Sequence, residues 1–197
     1  MNLANKLTFF RLILAPVFFI IYLFPHFVPS WLEKGTAWTI PVLWIIFIVS
    51  EVTDLLDGIA ARKLNQMTDF GKFFDPFADT LMQITCFLCF VIDGIFPAIL
   101  FLLVIYREFG ILFVRNLMLK KGITLAARLG GKIKTVVYIV AAGAALLTVS
   151  VQRLAFFEFL FPYFKIGANV IFAISVIISI ISFIDYLIVF RKAEIKA

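Results

Sequence analysis

The sequence predicts an all-α integral membrane protein of six transmembrane helices. Three observations carry that prediction. Mean hydropathy is +1.09, too apolar for an ordinary water-soluble domain. Of the 197 residues, 63% are hydrophobic and 25 are Phe. Six apolar stretches reach or approach the roughly 20 residues that a helix needs to cross a bilayer, and turn or polar segments separate them.

In order, the spans are 7–25, 36–64, 72–92, 96–119, 132–152 and 167–190. The first reads as a retained helix, because no small-residue cleavage site follows it. Pro25 to Lys34 is a loop containing two prolines, with His26 as a loop residue. Asp93-Gly94 followed by Pro97 marks a tight turn between the third and fourth spans. Lys120 to Gly131 is a basic linker, and Glu158 to Lys165, with Pro162, divides the last two spans. No repeat or low-complexity tail is visible, so residues 1–197 are expected to form one catalytic domain. Cys86 and Cys89 form a C-x-x-C inside an apolar helix and are expected only to pack.

Basic residues set the orientation. With a cytoplasmic N-terminus, 14 Lys and Arg side chains fall on or near the inner side, and Lys34, Arg153 and Lys165 fall outside. The cell (inner) membrane is the expected location, with both termini cytoplasmic. No nucleic-acid partner is expected.

The second span is long. At about 1.5 Å per residue it extends roughly 43 Å, beyond a hydrocarbon layer of about 30 Å. Its C-terminal turns therefore reach the cytoplasmic boundary, and a short polar connection makes the third span its antiparallel neighbour. Asp54 and Asp57 are i,i+3 on the second span; Asp75 and Asp79 are i,i+4 on the third. Four carboxylates thus converge at one depth. Intramembrane acids are costly and face polar interiors, and four cannot all ionise without compensation. Hard divalent cations, Mg²⁺ or Mn²⁺, supply it through oxygen ligands, and four acids can hold two ions. Gly58 and Ala61 leave space beside the acids, and Arg62 offers a planar fork to phosphate. The combination points to a diphosphate-bearing substrate. A divalent-cation transporter is the alternative from another class, but the acids lie toward one face and Arg62 would repel the ion.

The stretch Asp54, Asp57, Gly58, Ala61, Arg62, Gly71, Asp75, Asp79 reads D-x2-D-G-x2-A-R-x8-G-x3-D-x3-D. It resembles the signature of the CDP-alcohol phosphatidyltransferases. The resemblance implies a six-helix membrane enzyme, generally a homodimer, with a two-metal site open to the cytoplasm. It implies Asp54, Asp57, Asp75 and Asp79 as metal ligands, with Asp79 also the general base. Gly58, Ala61, Arg62 and Gly71 would then line the CDP-lipid pocket. "NKLTFFRLILAP", with Asn5, Thr8 and Arg11, resembles the first helix of the phosphatidylglycerophosphate synthase branch, as do "REF" at Arg107–Phe109, Arg115 and "GGKIKT" from Gly130. Pro is frequent in that branch where this chain has Ala4. Asn5 and Thr8 join the CDP-lipid site on this resemblance.

The expected reaction moves a phosphatidyl group from CDP-diacylglycerol to sn-glycerol 3-phosphate, releasing CMP. Phosphatidylinositol-phosphate and cardiolipin synthases are the rival readings within the family. An acceptor with its own phosphate needs a second cationic pocket, for which Arg107, Arg115, Arg128, Lys132 and Lys134 are candidates. Arg107 lies near mid-bilayer by helical rise. Glu108 projects about 100° away, so the two are expected not to pair directly; Arg107 would pair with Glu51 or reach the acceptor pocket, and Glu108 would buttress another cation. Asp185 is expected to be buried in a structural pairing.

Overall fold

The computed structural model describes residues 3–29, 35–63, 69–120, 129–155 and 157–196; side chains are described for 6–29, 35–55, 74–118, 130–155 and 157–192. Six long helices result: α1 (Leu3–Leu23), α2 (Thr39–Lys63), α3 (Asp69–Ile92), α4 (Ala98–Lys120), α5 (Leu129–Leu154) and α6 (Phe161–Lys196). No strand occurs among the described residues. Four stretches are long and apolar enough to cross a membrane: Lys6–Phe27, Phe74–Ile92, Gly130–Leu154 and Glu158–Lys192. The chain is a multi-pass membrane protein. The two remaining helices carry the charges of interest, Glu51 and Asp54 on α2 and Arg107, Glu108 and Arg115 on α4.

Helix ends differ from the sequence expectation where proline decides them. α1 stops at Leu23, and Phe24–Phe27 forms a 3₁₀ turn around Pro25, because the residue before proline is pushed out of the α region. At the other end of the chain, Pro162 does not break the last span. It sits in the first turn of α6, where a missing N–H costs nothing and the fixed φ suits a helix start. The break comes earlier, at Ala155 and Phe157, both in the left-handed region with φ of 52° and 57°. α6 therefore runs 36 residues, about 54 Å by helical rise, and continues well past the 167–190 expected.

The chain divides into two compact units, residues 1–89 with 150–156, and residues 90–149 with 157–197. In the first, α1 packs along α2. Leu14, Ala15, Phe18 and Tyr22 form the buried stripe of α1 at helical spacing. Phe18 and Tyr22 stack one turn apart, with centroids separated by 6.1 Å. The Arg153 guanidinium lies 4.4 Å over the Tyr22 ring, and Trp44 Nε1 donates to Ser150 Oγ at 3.0 Å. Cys86 and Cys89 are buried in this unit as small hydrophobes.

In the second unit the predicted turn is present. Gly94 takes φ +65°, and the amides of Ile95 and Phe96 both donate to the Phe90 carbonyl. Asn169 on α6 clamps this turn, donating from Nδ2 to the Ile95 carbonyl at 2.6 Å. Phe96 stacks on Phe172 at 3.9 Å. Farther along, α4 approaches α6 so closely at Gly110 that a Cβ there would lie 2.7 Å from Phe183 Cζ.

Candidate active site

The acids of the first unit are organised by α1. Thr8 and Arg11 are three residues apart, hence on one face of that helix, and each is 1% exposed. The Thr8 hydroxyl donates to Asp75 Oδ1. Arg11 Nη1 donates to Oδ1 of both Asp54 and Asp79. One guanidinium nitrogen thus joins a carboxylate of α2 to a carboxylate of α3. Asp75 immediately precedes Pro76, which cannot donate a backbone hydrogen bond inside α3. The charges acting on Asp79 are Asp54, Arg11 and Asp75.

Exposure divides the cluster into a closed side and an open side. The Arg11 side chain is 2% exposed, whereas those of Asp54 and Asp79 are 42% and 44% exposed. The cation forms the back of the cluster and the acids keep accessible surface in front. This donor set is all oxygen and strongly negative, which is the chemistry a hard divalent ion requires. Among the described residues no three His, Cys, Asp or Glu side chains are gathered as a metal-holding group. Asp57 lies on α2 with its side chain outside the described residues. The same holds for Gly58, Ala61 and Arg62 on α2, Gly71 on α3 and Asn5 on α1; Arg128 lies outside the described residues altogether.

The cationic candidates fall in the second unit. Arg115 and Lys132 are exposed. Arg107 and Lys134 are buried, and both meet Glu108. Arg107 Nη1 lies 2.9 Å from Glu108 Oε1, and Lys134 Nζ lies 3.0 Å from the same oxygen. Arg107 Nε also donates to the Ser179 carbonyl at 3.3 Å. Tyr138 completes the group, with its hydroxyl 2.6 Å from Ser179 Oγ and its ring 4.6 Å from Lys134 Nζ. Two cations on one acid leave a net positive charge in a buried setting.

Two expectations are corrected and one holds. Arg107 and Glu108 do pair directly. Their Cα–Cβ directions diverge by the helical 100°, but both side chains are long enough to fold back over the helix surface and meet. Glu108 does buttress a second cation, Lys134, as expected. Asp185 is exposed rather than buried, because α6 turns that face away from its packed side, where Ser175, Val176 and Ser179 lie. In the sequence Arg11 counted as a positive residue near the inner side and as part of the first-helix resemblance, and had no acidic partner assigned. Its signal was available: a lone Arg one helical turn after Thr8, in an otherwise apolar helix.

Comparison with known proteins identifies the family. The profile of the family described as CDP-alcohol phosphatidyltransferase matches residues 1–184. A CDP-diacylglycerol–glycerol-3-phosphate 3-phosphatidyltransferase of Treponema pallidum is 33% identical over 193 residues, covering 95% of this chain and 88% of that protein. The protein of that name from Bacillus subtilis is 41% identical over 152 residues, covering 74% and 77%. A probable phosphatidylglycerophosphate synthase of Mycobacterium tuberculosis is 30% identical over 185 residues, covering 94% and 79%. With a family match over nearly its whole length, the chain belongs to the CDP-alcohol phosphatidyltransferase family.

Proposed function

We propose that this enzyme transfers the phosphatidyl group of CDP-diacylglycerol to the 1-hydroxyl of sn-glycerol 3-phosphate, forming phosphatidylglycerophosphate and CMP. The observation that carries the reading is the meeting of Asp54 and Asp79 at one cationic nitrogen, in a chain whose relatives bear that activity in their names.

The lipid tails of the donor stay in the bilayer, so the catalyst must meet the headgroup at the interface. Asp54 and Asp79 are half open to their surroundings, and the excess of basic residues expected on the inner side supports a cytoplasmic position for their end of the helices. The family is generally dependent on divalent metal. Asp54, Asp57, Asp75 and Asp79 would hold two Mg²⁺ or Mn²⁺ ions; when bound, these neutralise the diphosphate and the charge that develops on the leaving CMP.

Asp79 is the proposed base. It takes the proton as the acceptor oxygen bonds to the phosphorus carrying diacylglycerol, and the bond from that phosphorus to the CMP oxygen breaks. Positioning carries most of such a transfer. Asn5, Thr8, Gly58, Ala61, Arg62 and Gly71 are assigned to the CDP-lipid. Thr8 would act through its bond to Asp75, fixing that carboxylate. Arg107, Arg115, Arg128, Lys132 and Lys134 are assigned to the phosphate of the acceptor, supported by the net positive Arg107–Glu108–Lys134 group. A homodimer in the inner membrane completes the proposal.

The test is direct. Purified protein receives CDP-diacylglycerol, Mg²⁺ and, separately, glycerol 3-phosphate, inositol 1-phosphate and phosphatidylglycerol, and the lipid product is identified by mass. Phosphatidylglycerophosphate formed with glycerol 3-phosphate, and lost with EDTA, is the expected outcome. A product from either other acceptor alone moves the enzyme to a different branch of the family.

A further inference from the structure

The metal assignment proposed above gives Arg11 a role of its own. A buried guanidinium cannot shed its charge by deprotonation; it must be paired where it lies. Arg11 Nη1 meets two carboxylates on two different helices. Those same carboxylates are the open ones, while Arg11 is closed behind them.

We infer that Arg11 is the internal counter-cation of the acid cluster. It draws Asp54 and Asp79 together across α2 and α3 before a divalent ion enters, and it competes with that ion for their oxygens. Acids of like charge on two helices would otherwise spread apart. A cation held at the back keeps them facing each other at the cost of metal affinity. Loading the site then means exchanging part of the Arg11 contact for the ion. Arg11 is a positioning residue in this account, acting through Asp54 and Asp79.

The experiment is Mn²⁺ titration of the purified protein in detergent, following free Mn²⁺ by its electron paramagnetic resonance signal. Arg11→Gln removes the competing charge and is expected to tighten Mn²⁺ binding about ten-fold or more, since unit charges a few ångströms apart interact strongly at such a site. Arg11→Lys keeps the charge but, as a point donor, is expected to engage one carboxylate at a time. It should tighten binding by a smaller step, and it serves as the test if the Gln variant does not fold. In the metal-free state both variants should melt below the wild type, with the gap narrowing as Mn²⁺ is added. Wild-type protein that binds Mn²⁺ while both variants bind it equally or more weakly overturns this inference alone. Wild-type protein that binds no Mn²⁺ overturns the metal assignment itself.

Discussion

At the residue scale, the proposed chemistry asks one carboxylate to do two jobs. Asp79 faces Arg11 and is half exposed, so it can meet both a cation and an acceptor hydroxyl. Asp79→Asn keeps the shape and removes the basic oxygen. Turnover should fall by about 10²-fold or more, the usual contribution of a positioned base, while binding of CDP-diacylglycerol, measured by retention on lipid-loaded micelles, stays detectable. Unchanged turnover would remove Asp79 from its role. The approach of Asp54 and Asp79 was legible in the sequence because helical spacing and a short connection between two neighbouring spans bring them to one depth. The pairing of Arg11 was not read, because a basic residue near a membrane boundary is ordinarily taken as a topology signal, although its place one turn after Thr8 hinted at an inward face.

At the element scale, α4, α5 and α6 are pinned by one buried polar group. Arg107 and Glu108 come from α4, Lys134 and Tyr138 from α5, and Ser179 from α6. The acid is the keystone, since without it two buried cations face each other. Glu108→Gln should therefore destabilise the protein by about 3 kcal/mol, the scale for breaking a buried pair by removing one partner. Glu158→Gln, at an exposed acid in a 3₁₀ turn, should stay within about 0.5 kcal/mol. Thermal unfolding in detergent compares the two; equal melting temperatures would show that Glu108 is not holding the helices. Periodicity and hydropathy were sufficient to find all six helices, and the Gly94 turn followed from its dipeptide. The length of α6 was missed because Pro162 reads as a breaker until its place in the first turn is known. The Arg107–Glu108 pair was missed because the angular argument treats side chains as short spokes, whereas both fold along the helix.

At the scale of the whole molecule, function depends on orientation, since glycerol 3-phosphate is a cytoplasmic metabolite in the proposed reaction and the acids must open to that side. The proposed orientation, with a cytoplasmic N-terminus, puts 14 Lys and Arg inward against 3 outward. The two ends of α6 report this independently. Glu158 precedes its start and Lys192 lies near its end, both exposed, and the native cysteines are buried and give little background. In intact cells, Glu158→Cys should react with a membrane-impermeant maleimide and Lys192→Cys should not, until the membrane is opened. The reverse pattern would put the basic end of α6 outside and overturn the expected orientation. Labelling of both sites in intact cells would mean that α6 does not span. The expected pattern fixes α6 across the bilayer with its basic end inside, the orientation that the proposed reaction requires.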